Sequence, residues 1–78
     1  MDRSKRPQPG LGRAVRQLRE ERGMSQEALA ARAGVTAATI GLIERGQANP
    51  KWDTVKTIAA ELGLSISELA KLSEKLER

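Results

Sequence analysis

The side chains with the most chemistry to offer in this chain are its cations. Fourteen lysines and arginines stand against ten carboxylates, giving a formal net charge of +4. The excess is one-sided. Residues 1–45 carry nine Lys/Arg and five Asp/Glu, whereas residues 46–78 carry five of each. A basic half of this kind attracts a polyanion, either nucleic acid or an anionic membrane surface, although a merely solvated basic face has the same composition. Covalent and acid–base chemistry has little to work with. Histidine, cysteine and tyrosine are absent, which removes the usual general base, nucleophile, phenolic acid and zinc ligands. Glu20 and Glu21 are adjacent on an expected helix and diverge, so they make no paired-carboxylate site. The seven glycines fall mostly at expected helix ends, not in a phosphate-cradling loop. The sequence reads as a non-enzyme with no metal, no cofactor and no small-molecule effector.

These cations must be carried by some framework. A chain of 78 residues has room for one small domain. No apolar run approaches the ~18–20 residues of a membrane span. The N-terminus, MDRSKRPQPG, lacks the apolar stretch of a signal peptide. With no cysteine to pair, a cytoplasmic location fits. Residues 1–9 read as a flexible basic arm, with Pro7 and Pro9 among Arg3, Lys5 and Arg6. Residues 10–78 read as the folded domain. Leu11, Val15 and Leu18 make an apolar stripe on a first helix that Gly23 stops. Ser25 caps a second helix, 26–33, which Gly34 ends. Thr36 caps a third helix, about 37–45, with Val35 and Ile40 at the spacing of a hydrophobic staple. A fourth helix from Trp52 to Leu62 buries Trp52, Val55, Ile58, Ala59 and Leu62. Ser65 and Glu68 form a capping box for a C-terminal helix, 66–77. No segment alternates with period two, so the fold class is all-α with five short helices.

The pair of helices in residues 26–45 is the informative unit. A tight Ala33-Gly34-Val35 turn lets two short helices cross steeply, Ala30 is small enough for the crossing, and Ile40 and Ile43 anchor the second helix from behind. Its outer face is then free to enter a DNA major groove. The LGRAVRQLREERGMSQEALAARAGV run, Thr39-Ile40, IERG at 43–46, Asn49-Pro50 and the TVKTIAAELGLSISEL run together resemble the phage-repressor/Cro-type helix-turn-helix family, also called the xenobiotic-response-element family. The resemblance covers about three quarters of the chain. It implies a lambda-repressor-like domain that binds double-stranded DNA and acts as a small transcriptional regulator, a repressor by preference. It also implies individual roles. Gln26 holds a DNA phosphate beside its own helix N-terminus, Asn49 and Lys51 touch the sugar-phosphate backbone, and Arg19 and Glu44 form a structural ion pair.

The helix that reads bases departs from the family pattern. Its outward positions are expected to be Ala37, Ala38, Thr39, Gly41 and Leu42, with Arg45 at the far end near the phosphates. Relatives usually carry Arg, Gln, Ser, Asn or Lys at several of these positions. Three readings follow: apolar groups touch thymine methyls, the DNA is read by shape or by the arm (Arg3, Lys5, Arg6), or the face docks a protein. The last is the alternative function, a protein-interaction module of the antitoxin-like or adaptor kind. Arg13 and Arg16 on the first helix are further phosphate candidates, or a solvated face paired with Glu20 and Glu21. Leu69, Leu72 and Leu76 on the last helix are candidates for a homodimer interface, which would suit a palindromic site.

Overall fold

Each glycine stop and hydroxyl cap in the sequence becomes a helix boundary in the computed structural model, which describes residues 9–77. Helix α1 spans Pro9–Glu21, α2 Gln26–Ala33, α3 Ala37–Glu44, α4 Trp52–Glu61 and α5 Ile66–Leu76. No strand occurs among the described residues. None of these helices is long and apolar enough to cross a membrane. Pro9 is the first residue of α1 and not the last of an arm; proline suits that position because a first-turn N–H has no intrahelical acceptor anyway. The arm cations Arg3, Lys5 and Arg6 lie outside the described residues.

The caps form as the side chains dictate. The Ala28 amide donates to Ser25 Oγ at 3.0 Å and the Thr39 amide to Thr36 Oγ1 at 3.1 Å. At α5 the capping box is complete: the Glu68 amide donates to Ser65 Oγ, and the Ser65 amide donates to the Glu68 carboxylate at 2.8 Å. Those bonds favour the ionised carboxyl and hold Glu68 below its ordinary value, the Ser65 backbone contributing most.

One core joins all five helices. Ala14, Val15 and Leu18 of α1 meet Leu29 and Ala30 of α2, Ile40 and Ile43 of α3, Ile58 and Ala59 of α4, Leu62 just past it, and Leu69 of α5. Helix α1 packs most extensively on α5, and also on α3, which in turn packs on α2. Two residues sit differently in this core from what their spacing suggests. Leu69 is 1% exposed and belongs to the core, where it also lines a surface groove beside Ile66, while Leu72 and Leu76 are half-buried against the core. Trp52, expected inside, is 63% exposed. It lies in the first turn of α4, beyond the edge of the core, beside Leu11, Pro50, Val55 and Ile66 on a groove of about 440 Å³.

Candidate nucleic-acid interface

The helix-turn-helix is assembled from local rules. After α2, Gly34 takes the left-handed conformation (φ 72°, ψ 30°), and its amide and that of Val35 both return to the Ala30 carbonyl. A residue with a Cβ is strained there, so glycine makes the turn. Thr36 then starts α3 immediately. The inner side of α3 presses Ile40 and Ile43 into the core at 0% and 1% exposure. Its outer side carries Ala38 and Leu42, one turn apart and both exposed.

A polar network fixes α3 from behind. Arg19 of α1 grips Glu44 at the end of α3 through two bonds, Nε to Oε2 at 2.7 Å and Nη2 to Oε1 at 3.1 Å. The two side chains are only 12% and 4% exposed. Arg19 Nη1 also donates to the Met24 carbonyl at 2.8 Å, and Gln26 Nε2 donates to Glu44 Oε1 at 3.1 Å. The hydrogen bond to Glu44 pushes the Arg19 guanidinium above its ordinary value, outweighing the opposite effect of burial. One carboxylate thus ties together α1, the start of α2 and the end of α3. The backbone follows the same plan: a Cβ at Gly12 would collide with the carbonyl oxygens of Ile43 and Glu44, so α1 lies directly on the last turn of α3.

The remaining candidates divide. Ala38 and Leu42 reach the surface of α3, Thr39 and Ala37 are half-buried, and Ala37 packs against the core. Thr39 Oγ1 is 3.0 Å from Thr36 Oγ1, a local bond at the start of the helix. Gly41 is buried because Arg45 folds back along the helix over it, and the Arg45 Nη1 would sit 3.1 Å from a Cβ at Gly41. Arg45 Nε donates to Gln47 Oε1 at 3.3 Å. Asn49 and Lys51 are exposed on the loop that follows. Gln26 is committed on its amide nitrogen to Glu44, while its first-turn backbone amide has no intrahelical acceptor by position.

Two α1 arginines behave differently from each other. Arg16 pairs with Glu20 on the exposed face at 3.2 Å, the solvated alternative. Arg13 is drawn to the far end of α5, where its Nη1 donates to the Leu76 carbonyl at 2.7 Å. Glu77 answers by accepting from the Gly10 amide at 2.9 Å. These contacts complement both helix ends, and they draw Arg13 against the end of α5. Sequence reasoning passed over Gly10, Gly12 and Gln47. The two glycines, spaced by one residue at the start of an apolar stripe, were the visible sign of a close helix crossing.

With this geometry in hand, known proteins are informative. The chain belongs to the phage-repressor/Cro-type helix-turn-helix family, whose description, Helix-turn-helix, matches residues 15–76. It is 40% identical over 60 residues to the cryptic phage CTXphi transcriptional repressor RstR of Vibrio cholerae, covering 77% of this chain and 54% of that one. It is 31% identical over 55 residues to the HTH-type transcriptional regulator DdrOP3 of Deinococcus deserti, covering 70% and 43%. The chain therefore spans about half the length of these curated relatives. Among solved structures it resembles the restriction-modification controller protein C.AhdI of Aeromonas hydrophila, with a TM-score of 0.75 and 34% identity over 78% of this chain and 92% of that one.

Proposed function

We propose that this chain binds double-stranded DNA as a transcriptional regulator, a repressor by the names of its relatives, and so acts in the cytoplasm. Helix α3 enters the major groove. The α2 N-terminus at Gln26 and the 45–51 segment, with Arg45, Asn49 and Lys51, face the phosphates on either side. The observation that carries this reading is the outer face of α3, open at Ala38 and Leu42, on a helix braced from behind by the buried Arg19–Glu44 pair. A groove reader needs that combination of an uncovered face and a fixed angle. The positive excess in the first 45 residues supplies the sequence-independent attraction.

A homodimer completes the proposal. The surface that suits a second copy is the groove around Trp52, Val55 and Ile66, which Leu69 also lines. It adjoins Asn49 and Pro50 of the loop after α3, so a two-fold copy there places two α3 helices along one side of a duplex.

Fluorescence anisotropy with labelled genomic duplex fragments tests the reading. Binding is expected at low salt and should weaken steeply as salt rises, because each neutralised phosphate releases counterions. Lys51→Ala should weaken binding to all sequences about equally and flatten the salt dependence. Absence of binding in low-salt buffer overturns the proposal and favours a protein partner. Trp52→Glu should yield monomers in analytical ultracentrifugation; a wild-type protein that is monomeric both free and on DNA removes the dimer.

A further inference from the structure

The outer face of α3 poses a specific problem for any DNA reader. A base pair shows the major groove hydrogen-bond donors, acceptors and one apolar feature, the C5-methyl group of thymine. The side chains that α3 presents outward have nothing with which to address donors and acceptors. Ala38 is exposed and Leu42 is 39% exposed. The polar groups around them are turned to other work. Thr39 shares its hydroxyl with Thr36, Gln26 donates its amide nitrogen to Glu44, and the Arg45 side chain, assigned above to the phosphates, lies back over Gly41 with Nε on Gln47. What projects is a pair of hydrocarbon groups at i and i+4.

We propose that Ala38 and Leu42 read the C5-methyl group of pyrimidines, so that specificity rests on methyl contact in place of bidentate hydrogen bonding. This inference rests on the DNA-binding reading above and deepens it. Side chains four apart on a helix lie about 5–6 Å from each other. Base pairs stack about 3.4 Å apart, so the two contacts fall on bases one or two steps apart in a half-site. Two bases present this group: thymine, and 5-methylcytosine in a G·C pair. The charge excess carries the protein to the duplex, and the methyl pair selects the register.

The test uses the full chain and a duplex recovered by in-vitro selection from random DNA. Each thymine is replaced in turn by deoxyuridine, which keeps every hydrogen-bonding group and removes only the methyl. Affinity is expected to fall about fourfold at each of one or two positions per half-site, the worth of one buried carbon, with little change elsewhere. At those positions 5-methylcytosine opposite guanine should bind more tightly than cytosine. Sensitivity to uracil alone assigns the contact to thymine, and sensitivity to cytosine methylation alone assigns it to 5-methylcytosine. Leu42→Ser should erase the effect at one position while leaving the thermal midpoint unchanged, since Leu42 is outside the core. If the chain binds both the selected duplex and poly(dG-dC), yet neither methyl change alters affinity, the methyl inference falls and the DNA-binding reading stands. If neither duplex is bound at low salt, both fall, and the apolar face belongs to a protein partner.

Discussion

Helix α1 holds two neighbours, α5 and α3, by different means. Against α5 it uses complementary helix ends, with Arg13 on the Leu76 carbonyl and Glu77 on the Gly10 amide, both bonds at the rim of the interface. Against α3 it uses a mostly buried, two-pronged ion pair, while the backbones are in direct apposition on both sides, at Gly10 against Ser73 of α5 and at Gly12 against Ile43 and Glu44 of α3. The polar bonds of the first arrangement attract along an axis. The second fixes an angle, because a planar guanidinium and a carboxylate satisfy two bonds in one orientation only. The directional bonds lie where the candidate site needs direction, behind the helix proposed to enter a groove.

The contrast can be broken most forcefully at Glu44. Glu44→Ala leaves the Arg19 cation buried with only the Met24 carbonyl, and should cost about 3–5 kcal/mol in urea unfolding. Gly12→Ala comes next. Its methyl meets main-chain carbonyls that cannot step aside, so about 3 kcal/mol is expected, measured the same way. A well-tolerated alanine here would mean that α1 is not pinned on α3. Glu77→Ala tests the polar bonds on the α5 side and should cost about 1 kcal/mol or less, since its carboxylate caps a helix end. A loss as large as that of Glu44→Ala would make the polar bonds on the two sides of α1 equivalent. The smallest effect concerns acid. Glu68 has its folded value lowered by Ser65, so its stabilising contribution is present above the ordinary carboxylate range. That contribution disappears as pH falls through the lowered value. Thermal midpoints of wild type and Glu68→Gln should therefore converge as pH falls; a gap that widens in acid would contradict the capping box as its origin.

The contrast also sorts what could be read from the sequence. Boundaries were legible because each depends on one or two local residues. Ser25, Thr36 and Ser65 cap helices on their own, and Gly34 has a conformation that other residues avoid. The Arg19–Glu44 pair was legible only through resemblance, since 25 residues separate the partners and no periodicity connects them. Trp52 misled because helical spacing places it in line with Val55 and Ile58, but spacing says nothing about where the core ends. It sits one turn too early, past the last layer of packing. Gly41 misled in the opposite way. It was counted among the exposed positions of the third helix, when the Arg45 side chain, four positions later, covers it. Arg13 could not be placed at all without knowing that the end of α5 returns to the start of α1.

That return has a practical consequence. Because the Gly10 amide touches the Glu77 carboxylate, the described polypeptide starts and finishes at a single spot on its surface. A short peptide joining residue 77 to residue 9 would close the backbone into a ring with little distortion. New ends could then be opened elsewhere, for example at the exposed turn of Gly63, giving a circularly permuted protein with the same five helices.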